Sequence, residues 1–136
     1  MKSKNWVDAN EGKMNGNSYF NELIKEFSAI SDQIEEESPE MIYMNMETFA
    51  RYTIEQIKQN NYSELKRCFD FQEYKIDLLN SDLINALFVS YCESLLLGEC
   101  SQEMAQVLNQ MGPKLKAHYL DYERYYNDLV KRANEK

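Results

Sequence analysis

The stretch SDLINALFVSYCESLLLG, residues 81–98, decides how the rest of the chain is read. Leu83, Ile84, Leu87, Phe88, Tyr91, Cys92 and Leu95 recur at steps of three and four, the spacing that puts side chains on one face of an α-helix. Ala86, Val89, Leu96 and Leu97 widen that face. An apolar surface this broad predicts a central helix covered on several sides. Asn80 or Ser81 is the expected N-cap, and Gly98 the expected left-handed stop.

The same periodicity extends in both directions. Upstream, Phe20, Leu23, Ile24, Phe27, Ile30 and Ile34 form a stripe that predicts a helix over 18–37. Ser38, Pro39 and Glu40 then read as cap, first-turn proline and first-turn acid of a second helix running to about Gln59, with Ile42, Met46, Phe49, Ala50, Thr53, Ile54 and Ile57 inside. Asn61 with Glu64 three residues later has the form of a capping box. The helix it opens carries Leu65, Cys68, Phe69, Gln72, Ile76 and Leu79 on one side. Downstream of Gly98, a shorter helix follows Ser101 with Met104, Ala105, Leu108 and Met111. Gly112 and Pro113 punctuate the passage into a last helix of 113–134, striped by Leu115, Tyr119, Tyr122, Tyr126 and Leu129 and flanked by His118 and Tyr125. Residues 1–17 are polar and glycine-containing, and read as a flexible lead-in to a single helical domain over 18–136.

With 136 residues, four Gly and two Pro, the chain has room for one domain and too few turn residues for a sandwich or barrel. The fold class is therefore all-α: an irregular single-domain bundle of five or six helices. No long apolar run or signal-peptide pattern is present, and Cys68, Cys92 and Cys100 read as reduced, buried thiols. A cytoplasmic protein is expected.

The net charge of −8 is uneven. Residues 18–40 hold seven acids against one base, and residues 81–112 hold four acids and no base. Such surfaces repel phosphate backbones and anionic lipid, so neither nucleic acid nor membrane is an expected partner. A basic protein is, unless the acidity serves solubility alone. Glu35, Glu36 and Glu37 end a predicted helix where its dipole disfavours anions, and with Glu40 they form a candidate binding patch.

Chemistry finds little footing. One histidine and three scattered thiols make no metal motif, and no Gly-rich phosphate loop or dinucleotide fingerprint occurs. Cys68 or Ser90 with His118 lacks the local sequence of an activated nucleophile. No catalytic residue, cofactor or metal is expected, and the chain reads as non-enzymatic. Glu93, on the most apolar helix, either points outward or needs a partner such as Arg124 or Lys116. The tyrosines of the last helix either pack inside or present an aromatic contact surface, with Tyr122 and Tyr125 as its candidate residues.

The segments NNYSELKRCFDFQEYKID (60–77), NALFVSYCESLL (85–96) and MGPKLKAHYLDYERYY (111–126) resemble successive blocks of a family of small bacterial helical proteins of uncharacterised function. The resemblance covers roughly residues 18–130 and rests on helix caps and core positions. Such proteins are similar in type to the immunity proteins of polymorphic toxin systems, which inhibit a toxin by binding it. That likeness implies a protein-binding role, with a basic toxin as one possible partner, and carries over no functional residue. The alternative is a small regulatory or self-associating module whose tyrosine face forms a homodimer.

Overall fold

The run around Leu87 forms the axis of the molecule. The computed structural model describes residues 12–35 and 41–135, and seven α-helices are defined among them. They are α1 (Gly16–Glu26), α2 (Met41–Lys58), α3 (Tyr62–Lys75), α4 (Ser81–Ala86), α5 (Glu93–Leu97), α6 (Met104–Val107) and α7 (Pro113–Asn134). The all-α class holds, with one more α-helix than the six expected because the helix predicted over 81–97 is divided into α4 and α5 by a change of geometry at its middle. The only β pairing among the described residues is one parallel bridge, Met14 to Leu79, which ties the start of the described chain to the end of α3.

α4 and α5 are one continuous helix whose middle, Leu87–Cys92, widens to π geometry. Such wide turns are rare, and they change which residues share a face. Here the wide turn serves two neighbours at once. Tyr91 points to α2, with its hydroxyl 2.8 Å from that of Thr53, while Phe88 packs its ring against Tyr122 of α7. Leu83, Ala86, Leu87, Tyr91, Cys92 and Leu95 are essentially fully buried, as the periodicity predicts for the central helix. Asn80 is the N-cap, accepting from the Leu83 amide at 2.9 Å.

Several local expectations are corrected. The first helix does not run through 37: it stops at Glu26, Phe27 leaves helical geometry (φ −125°, ψ 73°), and Ser28–Gln33 continues as a 3-10 turn. Tertiary contacts overrule the stripe here. The Phe27 ring is held among Phe49, Tyr52 and Phe71, and the Arg67 guanidinium both stacks on it and takes the Glu26 carbonyl at 2.7 Å. Asn61 makes no side-chain cap: its Nδ2 donates to Gln56 Oε1 at 3.2 Å and its Oδ1 accepts from the Ser63 hydroxyl at 3.4 Å, while Glu64 accepts from the Tyr52 hydroxyl and from Arg67. Gly98 is not left-handed (φ −81°). Glycine is needed there for space, because a Cβ would run into the Ser94 carbonyl oxygen and crowd Ile54. The short helix after Ser101 is 3-10 at both ends, with only Met104–Val107 in α geometry. The Ser38–Glu40 cap lies outside the described residues.

Polar groups in the core are paired. Tyr19 donates to Gln72 Oε1 at 2.6 Å, and Gln72 Nε2 donates to the Met46 sulfur at 3.5 Å. No buried side-chain nitrogen or oxygen among the described residues lacks a partner. The three cysteines are free and buried, and burial pushes the Cys68 thiol up to about 12 and Cys92 higher still. Neither supplies a thiolate near neutral pH.

Candidate protein-interaction surface

The surface of interest begins at the N-terminus of α7. That helix has Gly112 as its cap residue, which offers no side chain to the first free amides. Glu73 of α3 fills the role: its two carboxylate oxygens accept from the amides of Leu115 at 2.8 Å and Lys114 at 3.1 Å. A Cβ at position 112 would overlap the Glu73 side chain, so the glycine leaves room for a cap delivered from another helix. Lys114 also pairs with Asp77, whose carboxyl it holds below the usual range. Replacing Glu73 by alanine strands two amides at the positive end of a long helix. It should destabilise the fold by about 1–2 kcal/mol in urea unfolding, and an unchanged midpoint would rule the cap out.

Anchored there, α7 lays Leu115, Tyr119 and Tyr122 into the core. Tyr122 is 4% exposed, and its hydroxyl donates to Glu93 Oε2 at 2.9 Å. Burial, with the carboxylate beside it, pushes that phenol well up. Glu93 is thus half-buried with a tyrosine for partner, and neither Arg124 nor Lys116 reaches it; Arg124 pairs with Asp121 instead. Phe88, Tyr122 and Tyr125 form a ladder with ring centroids 4.9 and 5.7 Å apart, rising from the interior to Tyr125, which is 49% exposed. The two candidate tyrosines therefore split: Tyr122 packs, and Tyr125 faces solvent.

Glu93 also lines a groove of about 510 Å³ between α2 and the end of α5. Ile54, Leu97 and Gly98 supply its apolar part, and Glu47, Glu55, Glu93 and Glu99 its acids. Arg51 pairs with Glu47 at 2.7 Å, and Lys58 reaches Glu99 at 3.3 Å and Glu55 at 3.7 Å. No Lys or Arg among the described residues comes within ion-pair distance of Glu93. Four carboxylates thus meet two cations beside an exposed Leu97. Glu93 was legible in the sequence as an acid on an apolar helix; Glu47, Arg51 and Glu55 carried only the four-residue spacing of a solvated helix face.

Of the acidic candidate patch, Glu35 is exposed, and its backbone is clamped by Asn45, which accepts from its amide and donates to its carbonyl, both at 2.9 Å. It borders a second cleft of about 510 Å³, rich in asparagine (Asn15, Asn17, Asn21, Asn45 and Asn80) and sharing no lining residue with the first. Glu36, Glu37 and Glu40 lie outside the described residues. His118 is half-buried and within electrostatic range of Asp77, and no nucleophile among the described residues is hydrogen-bonded to it. Among the described residues no three His, Cys, Asp or Glu side chains are placed to hold a metal ion, and no single helix is long and apolar enough to cross a membrane.

Residues 20–127 match the family described as a domain of unknown function, DUF7674. The chain belongs to that family. The DUF7674 match takes in the groove, the Glu73 cap and the aromatic ladder, and leaves out the last turns of α7. No curated protein and no solved structure matches the chain.

Proposed function

We propose that this protein acts without chemistry of its own, by binding a cationic protein partner and covering that partner's working surface, in the manner of an immunity-type inhibitor in the bacterial cytoplasm. The observation that carries the reading is the groove between α2 and α5, where an uncompensated Glu93 and an exposed Leu97 lie beside the aromatic ladder. A lysine or arginine from a partner gains a carboxylate there, and its aliphatic stem gains apolar cover. Glu35 and the acids that follow it in sequence add long-range attraction, which speeds encounter more than it tightens the complex. If the partner is a nuclease, the same charge competes with its nucleic acid.

Affinity capture from the native host with the wild-type chain as bait provides the test. A basic protein should be retained at low salt and released as salt rises. Glu93→Lys with Glu99→Lys should weaken that association at least about tenfold and flatten its salt dependence, with Glu35→Lys and Glu36→Lys slowing association as a separate arm. Capture of no stable partner, or binding indifferent to the groove reversal, would sink the proposal.

A further inference from the structure

The groove between α2 and α5 holds its unbalanced charge at two separate ends. α2 and the α4–α5 helix run parallel: Asn85 donates to the Tyr43 hydroxyl near their starts, the Thr53 and Tyr91 hydroxyls meet further along, and the Cys100 thiol faces the Ile54 carbonyl beyond α5. Glu93 therefore stands at the end marked by Glu47 and Arg51, and Glu99, 3.3 Å from Lys58, at the end marked by Glu55. At the first end Arg51 serves Glu47, which leaves Glu93 with a tyrosine hydroxyl and no cation among the described residues. At the second, Lys58 is shared between Glu55 and Glu99, which again leaves one negative charge over. Arg51 and Lys58 are seven residues apart on α2, so the two deficits lie about 10 Å apart along the axis. Between them the surface is apolar, with Ile54, the exposed Leu97 and Gly98, whose missing side chain keeps the floor low.

We propose that the segment this groove takes from its partner is a helix with Lys or Arg at positions i and i+7 and an aliphatic residue at i+3 or i+4; the inference rests on the binding role given to the groove above. Residues seven apart on a helix lie about 10.5 Å apart along its axis and about 20° apart around it, with i+3 and i+4 between them on the same side. One cation then meets Glu93, the other meets Glu55 and Glu99, and the aliphatic side chain covers Leu97 and Ile54. The walls select a helix over an extended segment. Both are helical, and the only β pairing among the described residues joins Met14 to Leu79, away from the groove lining. An extended chain would find no strand edge there for its amides and carbonyls, whereas a helix arrives with its backbone already paired.

Alanine-based peptides of about 18 residues, titrated against the full chain by fluorescence anisotropy, test this. A peptide with Lys at i and i+7 and Leu at i+4 should bind at least about tenfold more tightly than one of the same composition with its second Lys at i+5, about 140° round the helix. A central proline, which breaks the helix, should cost a similar factor. Glu93→Gln, which keeps an acceptor for Tyr122, and Glu99→Gln should each weaken the first peptide at least about threefold with helical circular dichroism retained. Replacing one Lys of the peptide by Gln should abolish the effect of one of these substitutions and preserve the other, because each end reads one cation. Equal binding of the i+7 and i+5 peptides, indifference to both carboxylates, or spermidine binding as tightly as the helix would each overturn the proposal. So would a tenfold gain in affinity on Lys2→Gln with Lys4→Gln, two lysines outside the described residues, since it would make the chain's own N-terminus the occupant. If a captured host protein is released by the groove reversal while the peptides bind alike, the inhibitor reading stands and the helical motif alone is refuted.

Discussion

Phe27→Ala is expected to lower the unfolding free energy by about 3–5 kcal/mol, the range for truncating a fully buried phenylalanine. Phe27 is 2% exposed, with its ring 5.2 Å from Phe49, 5.8 Å from Tyr52 and 5.7 Å from Phe71, so the cavity would open among rigid aromatic neighbours that cannot easily collapse into it. The same ring carries the stacked Arg67, which holds the last carbonyl of α1 and pairs with Glu26 and Glu64. Losing it removes the reason the chain leaves helical geometry at this point. For a domain of this size the loss should appear as a fall of about 10 °C or more in the thermal midpoint. A fall under about 3 °C would show that the aromatic cluster does not hold the α1 turn.

Alkaline pH should destabilise the protein. Tyr19 and Tyr91 are wholly buried, and desolvation raises both phenols well above the usual range; burial does the same to the Cys68 and Cys92 thiols. A group whose acid form is favoured by the fold keeps its proton in the native state and loses it in the unfolded chain. Above the unfolded pKa the unfolded state therefore binds fewer protons, and stability falls as pH rises. The decline should begin near pH 8.5–9, where unfolded cysteine titrates, and steepen above about pH 10, where unfolded tyrosine does, by about 1.4 kcal/mol per pH unit for each such group. Urea unfolding followed by circular dichroism at pH 8, 9, 10 and 11 measures it directly. A midpoint that stays level across that range would contradict the burial of these four side chains.

Much of the architecture could be read from the chain because it follows from local rules. The three- and four-residue spacing around Leu87 marks a buried helix whatever lies beyond it, and Asn80 and Pro113 take the terminal roles their chemistry suits. Where local rules failed, a distant residue had intervened. Asn61 and Glu64 have the right spacing for a capping box, but Tyr52 and Arg67 engage the carboxylate. Gly112 looks like a stop signal, yet its small size matters because Glu73 arrives from forty residues upstream. The candidate surface divides the same way. Tyr122 and Tyr125 are neighbours on the same helix by sequence, and only the position of Phe88 and Glu93 buries one and leaves the other in water.

Sequence alone determined the helical class, the central place of residues 81–97, the buried thiols and the uneven negative charge, because helix periodicity, cap chemistry and formal charge are properties of short stretches. Only the tertiary structure decided where the first helix breaks, which carboxylate caps α7, and how Glu93 comes to line an acidic groove with a tyrosine as its partner. Those outcomes depend on which distant side chains compete for the same space or the same hydrogen bond, and no single stretch of the chain contains both competitors.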